Sequence, residues 1–156
     1  MELLPLVMIA PLLAWGAWSD LRRMQIPNAL SLAAVAVFAA TAAVAPPDDL
    51  LPRVTIAAAV LGIGFASYLF GLFGGGDVKM LSALLLFVPV STLSLFAYVF
   101  SASMLAGILI VLSLRRLPAA QGLGWKSISG STGFPMGLSI AMAGIAHPAA
   151  VALAAV

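Results

Sequence analysis

Few side chains in this sequence can move protons: five carboxylates, at Glu2, Asp20, Asp48, Asp49 and Asp77, and one imidazole, at His147. There is no cysteine, so a thiol nucleophile, a disulfide and a thiolate-bound metal are all excluded. Local sequence sets two of the carboxylates apart. Asp77 follows three glycines in Gly74-Gly75-Gly76-Asp77-Val78-Lys79, between two long apolar runs. Asp20 closes an earlier apolar run and is followed by Arg22, Arg23 and a rigid Ile26-Pro27-Asn28 turn. Two carboxyls within hydrogen-bond reach cannot easily both ionise; they share a proton, and one acts as base while the other acts as acid. With a water between them, such a pair can hydrolyse a peptide bond without metal, cofactor, serine or histidine. Taken singly, each aspartate has a plainer role, Asp77 as the cap of a helix and Asp20 as a surface charge beside Arg23. Intramembrane carboxylates also serve proton relays, so the competing reading of the pair is a small proton- or ion-coupled membrane carrier.

Positioning these residues falls to membrane helices. Of the 156 residues, 63% are hydrophobic and 8% are charged, with a mean hydropathy of +1.19. A soluble domain is about half apolar and about a quarter charged. The composition therefore predicts an all-α integral membrane protein, a single membrane-embedded domain over residues 1–156. The apolar runs are continuous rather than alternating, which excludes a membrane barrel. At roughly 20 apolar residues per crossing, the length allows about six transmembrane helices. The expected spans are residues 3–19, 29–45, 54–73, a short helix over 77–88, then 91–114 and 134–156. Pro89 separates the fourth from the fifth; joined, they would run to about 35 residues, too long for a core of about 30 Å. Gly62, Gly64, Ala66 and Ser67 give the third span a small-residue face suited to close helix packing. Residues 115–132 read as a polar loop. The first span is not expected to be a cleaved signal peptide, because Glu2 precedes it and the basic residues follow it.

With six spans, Arg22, Arg23, Lys79, Arg115, Arg116 and Lys126 fall on one side, and Arg53, Asp48, Asp49 and Glu2 on the other. The positive-inside rule makes the first side cytoplasmic and puts both termini outside. Asp20 and Asp77 then share the cytoplasmic ends of their helices. Trp15, Trp18 and Trp125 fit the membrane interface, as does His147 at the outer end of the last span. The middle of every span lacks charge, which disfavours the carrier. Asp20 at a helix C-terminus and Asp77 at a helix N-terminus would be separated by the helix dipoles, with Asp77 the base and Asp20 the acid. The net charge of +2 is too small to imply a nucleic-acid partner.

At these residues the chain resembles the type IV prepilin peptidases, or leader peptidases, and among them the short form found in Tad/Cpa pilus systems. The resemblance rests on Asp20-Leu21-Arg22-Arg23-Met24-Gln25-Ile26-Pro27-Asn28, on the Gly-x-Gly-Asp-x-Lys stretch Gly74 to Lys79, and on a looser Phe134-Pro135-Met136-Gly137 at the start of the last span. Met136 stands where an aromatic residue is more usual. The resemblance implies a GxGD-type aspartic endopeptidase, multi-pass in the bacterial inner membrane. Such an enzyme removes the basic leader from Flp-type prepilins and pseudopilins at the cytoplasmic face, typically after a glycine. Asp20 and Asp77 would be the catalytic aspartates. Ile26, Pro27, Asn28, Gly74, Gly76, Lys79, Pro135 and Gly137 would be motif or substrate-groove positions. For Lys79 two readings stand side by side, a contact with substrate or lipid headgroups and a lysine that snorkels at a helix end. No cofactor or metal is implied. The partners would be the prepilin substrates and membrane lipid. Longer relatives carry a methyltransferase-linked region, often with paired cysteines; the chain has neither room nor cysteine for it, so no N-methylation is expected. Presenilin-like proteases share Gly-x-Gly-Asp but pair it with Tyr-Asp, whereas Ser19 precedes Asp20 here.

Overall fold

A computed structural model of the chain describes residues 3–129 and 133–154. Glu2, the expected loop end at Thr132 and the last two residues of the expected sixth span lie outside them. The described residues form helices and no sheet. Helices α1 (Leu4–Met8) and α2 (Ala10–Arg23) make up the first apolar segment. Pro5 and Pro11 each sit in a first turn, where a missing N–H costs nothing. Helix α2 runs past Asp20 and stops at Met24, which is left-handed (φ 56°) and donates its N–H to the Asp20 carbonyl. Helix α3 (Asn28–Val44) starts directly after the extended Pro27. Helix α4 (Leu50–Leu69) begins earlier than expected, because Pro52 falls in its first turn and does not delay it. It also ends earlier, before Gly71, which takes a positive φ of 72°.

Helix α5 (Gly75–Leu85) is 11 residues long and starts two positions before Asp77. Pro89 ends the segment that follows it, as expected. A single 3₁₀ turn, Val90–Thr92, then leads into α6 (Leu93–Arg116). The expected polar loop contains two short helices, α7 (Pro118–Gln121) and α8 (Lys126–Ser129). Helix α9 (Met136–Ala154) completes the bundle. Three of the described helices are long and apolar enough to cross a membrane: Leu50–Leu69, Val90–Arg116 (with the 3₁₀ turn) and Met136–Ala154. Asn28–Val44 is apolar and shorter.

The short helix α5 is the centre of the packing. Val78, Met80, Ser82, Ala83, Leu84 and Leu85 are all buried, against α3, α4 and α9. Between helices in lipid the apolar effect supplies little net drive, so small residues that let backbones approach carry the association. A Cβ at Gly64 of α4 would lie 2.5 Å from Val78 Cγ1. One at Gly144 of α9 would lie 2.6 Å from Leu13 Cδ1 and 3.0 Å from Leu84 Cδ1, so α2, α5 and α9 meet there. Ser82 Oγ donates to the Ala57 carbonyl at 2.8 Å, tying α5 to α4 inside the bundle.

At the end of the bundle away from Asp77, Arg53 is buried and paired with Asp49 at 2.5 Å. Asp49 also accepts the Val90 N–H at 2.8 Å. Burial pushes the Asp49 carboxyl up, but the Val90 N–H and the Arg53 guanidinium outweigh it and hold the group below the usual carboxylate range. His147, expected at the outer interface, is instead fully buried. Its Nε2 meets Thr92 Oγ1 at 3.0 Å and its ring packs edge-on against Phe96. The apolar stem of α6 and the 3₁₀ turn before it cover the position.

Candidate active site

The other end of the bundle gathers all three motifs. Asp20 is 4% exposed, on the last full turn of α2. Its Oδ2 accepts the backbone N–H of Gly137 at 2.8 Å. Gly137 lies in the first turn of α9, where N–H groups have no partner inside the helix. A Cβ there would lie 3.0 Å from Asp20 Cβ and Oδ2, and 2.8 Å from Ile26 Cδ1. The Pro-x-Gly pattern thus has a physical reason: Pro135 opens the helix and Gly137 lets its backbone reach Asp20.

Asp77 stands at the third position of α5. Its carboxylate turns back to the Gly74 N–H, as in a capping box, and a Cβ at Gly74 would collide with Oδ2. The other oxygen, Oδ1, is buried and has no hydrogen-bond partner among the described residues. Capping therefore occupies one oxygen of Asp77 and leaves the second for chemistry. Gly74, Gly75 and Gly76 all have ordinary negative φ, since the positive-φ glycines among the described residues are Gly71 and Gly124. Close approach is what requires them. A Cβ at Gly76 would lie 3.1 Å from the Ile26 carbonyl oxygen and 3.2 Å from Ile26 Cβ. Gly75 and Gly76 are already helical, and of the three only Gly74 is extended, as the cap of α5.

Ile26 is the keystone between these segments. It is buried, with Gly76 of α5 on one side and Gly137 of α9 on the other. Ser19 Oγ donates to the Gln25 carbonyl at 2.8 Å and fixes the turn that delivers it. Asn28, next in the chain after Pro27, accepts from Lys79 Nζ at 3.0 Å through its Oδ1. Lys79 is therefore tethered to the start of α3. Asp20 and Asp77 line one cavity of about 450 Å³, with Ser19, Arg23, the 24–28 turn and Gly74 to Gly76. They interact electrostatically across it.

Of the expected site residues, Asp20, Asp77, Ile26, Pro27, Asn28, Gly74 and Gly76 line this cavity. Gly137 touches it through Asp20, Lys79 through Asn28, and Pro135 is buried at the start of α9. Asp20 ends α2 and Asp77 begins α5, as expected, but Asp20 also faces the first turn of α9, so each carboxyl meets a helix N-terminus. Sequence reasoning missed the support from the polar loop. Arg115 donates to the Ser127 and Gly133 carbonyls, at 2.8 and 2.7 Å, and Ser127 Oγ bonds the Leu21 carbonyl beside Asp20. Trp125 stacks edge-on against Trp18 at 5.1 Å. The Ser and Trp of that loop were the available signal.

Among the described residues no group of three or more His, Cys, Asp or Glu side chains is arranged to hold a metal. A model of the type IV leader peptidase family matches residues 7–112. The chain belongs to that family. Both aspartate motifs of this leader peptidase lie inside the matched stretch, and the Pro135–Gly137 motif lies beyond it. No curated protein and no solved structure matches the chain. A leader peptidase is a hydrolase of the aspartic-protease type that works on prepilin-type substrates in a membrane setting, and the carrier reading is set aside on that ground.

Proposed function

We propose that this leader peptidase cleaves Flp-type prepilins and pseudopilins, using Asp20 and Asp77 as its catalytic pair. The observation that carries the reading is that both motif aspartates, 57 positions apart in the chain, face one cavity at the same end of the bundle. In the reaction one carboxylate takes a proton from a water held between the two. The resulting hydroxide adds to the scissile carbonyl carbon. The other carboxyl, protonated at the outset, gives its proton to the carbonyl oxygen. Collapse of the tetrahedral intermediate breaks the C–N bond, with the proton taken from water passing to the leaving amine. Neither carboxyl is consumed, and the proton of the pair is restored for the next cycle.

The same reading has residues 1–156 as one membrane-embedded domain of six crossings in the bacterial inner membrane, with the cavity at the cytoplasmic face and both termini outside. Three long apolar helices support it, with α3, the α1–α2 pair and the short α5 supplying the rest. Burial of α5 inside the bundle removes the need for it to match the bilayer thickness by itself. Co-expression with a Flp-type prepilin, followed by mass analysis of the pilin, tests the proposal. A mature product lacking the basic leader is expected, and an unprocessed prepilin overturns it.

A further inference from the structure

A second large cavity, of about 560 Å³, lies at the end of the bundle away from the aspartates. Helix α1, the second half of α3 and the turn over 45–48 surround it, with the buried Phe38 and Phe87 on its inner side. Leu4, Met8 and Val44 line it as well and are largely exposed, so its mouth is apolar. One cation and one anion also border it. Arg53 is only 3% exposed. Asp48 is exposed. Arg53 Nε is bonded to Asp49 Oδ1, and Asp49 Oδ2 takes the Val90 N–H. Asp49 is thereby used up and balances the Arg53 charge. The two terminal nitrogens of Arg53 meet no acceptor among the described residues. Buried donors without acceptors are costly, and a guanidinium fork matches the paired oxygens of a phosphate.

We infer that this cavity binds one phospholipid whose headgroup joins a phosphate to a primary ammonium, a phosphatidylethanolamine. The inference goes beyond the peptidase reading and needs only that the bundle sits in a bilayer. The phosphate accepts from the terminal nitrogens of Arg53, the ammonium donates to Asp48, and an acyl chain lies against Leu4, Met8 and Phe38. Charge selects the headgroup. With Arg53 balanced by Asp49, Asp48 leaves the described lining one negative charge in excess, and an anionic lipid would add another. A choline headgroup has the right charge but no N–H to give Asp48. Ethanolamine supplies both. Size agrees: a cavity of about 150 Å³ holds a benzene ring, so one about four times larger takes roughly twenty carbon-sized atoms. A bare phosphate would leave the apolar walls uncovered. A second copy of the chain would cover the walls and leave Arg53 without its acceptor.

Native mass spectrometry of the delipidated full chain in detergent reads bound lipid and oligomeric state together. The probes are phosphatidylethanolamine, phosphatidylcholine and phosphatidylglycerol of matched chains, and glycerophosphoethanolamine, the same headgroup without chains. Wild type should bind phosphatidylethanolamine about tenfold more tightly than the other two lipids, the effect of one charge-assisted hydrogen bond. Asp48→Asn, at an exposed position, should bring the three lipids within about threefold of one another. Ala40 is exposed and lines the cavity, so Ala40→Trp fills it from the surface and should weaken phosphatidylethanolamine about tenfold by displacing the chain. Equal affinity for the three lipids in wild type, a preference unchanged in Asp48→Asn, or wild-type binding by Ala40→Trp overturns the site. Glycerophosphoethanolamine that binds as tightly as the lipid makes this a site for a soluble phosphate ester and overturns the lipid. A lipid-free dimer in place of lipid adducts overturns it too. None of these outcomes bears on leader cleavage, whose aspartates lie at the other end of the bundle.

Discussion

Replacing Gly137 by alanine adds one methyl group at the point where α9 meets Asp20. That methyl would lie 3.0 Å from Asp20 Cβ and Oδ2 and 2.8 Å from Ile26 Cδ1. Ile26 is itself held against the Gly76 backbone, so it cannot move away freely. Relief must come from shifting α9 or turning the Asp20 carboxylate, and either lengthens the 2.8 Å bond from the Gly137 N–H. A hydrogen bond to a charged group contributes about 1.5–3 kcal/mol. Losing it during catalysis corresponds to a fall of about 10- to 100-fold in kcat/KM. The assay is cleavage of a prepilin-type peptide in detergent, with thermal unfolding measured on the same samples. Gly107→Ala is the packing control: its methyl would lie 2.5 Å from Ser139 Oγ, on the α6–α9 contact away from the aspartates. It should lower the unfolding temperature and leave kcat/KM near wild type. Equal activity losses in the two variants, or wild-type kcat/KM in Gly137→Ala, would refute the reasoning.

Gly76→Val should abolish most cleavage, because the Ile26 backbone 3.1 Å away cannot yield as a side-chain tip would; normal activity in a folded variant removes the close approach from the account. Asn28→Ala and Lys79→Ala should each reduce activity, and the double variant should fall no further than the worse single one, since they lose one shared bond; additive losses would mean the two act separately. Cysteines placed at 20 and 77 should crosslink through a short bifunctional reagent spanning the shared cavity, and failure with every reagent length would separate the pair. Asp49 has its carboxyl held down by Val90 and Arg53, so its contribution to stability is present above the ordinary carboxylate range. That contribution is lost as pH falls through the lowered folded value. Thermal unfolding should therefore lose part of its acid sensitivity in Asp49→Asn, and an unchanged acid limb would dismiss the ion pair as a stabiliser.

Much of the architecture was legible because lipid simplifies it. Long uncharged runs have to be helices, and the prolines at 27 and 89 mark where one ends and the next begins. The two aspartates were legible as a pair from their position at the polar ends of those runs. What the sequence left open was set by contacts between distant segments. Nothing local says that α2 continues through Asp20 to Arg23, or that Pro52 sits harmlessly inside the first turn of α4. The burial of His147 depends on Thr92 and Phe96, some 50 positions away, and its place near the end of an apolar run reads equally well as interfacial. The glycines before Asp77 leave room for a close approach, but nothing local names the neighbours that use it: the Asp77 carboxylate, the Tyr68 ring and the Ile26 backbone. The donor from Gly137 was hidden because a backbone N–H carries no signature in residue type.

The central claim is that Asp20 and Asp77 together hydrolyse the leader bond. Its most direct measurement is single-turnover cleavage of a Flp-type prepilin by wild type, Asp20→Asn and Asp77→Asn, each first shown to insert in the membrane. Asparagine keeps the shape of the side chain and removes the proton exchange. The account predicts leader removal by wild type and none detectable by either variant; cleavage at the wild-type rate by either one contradicts it.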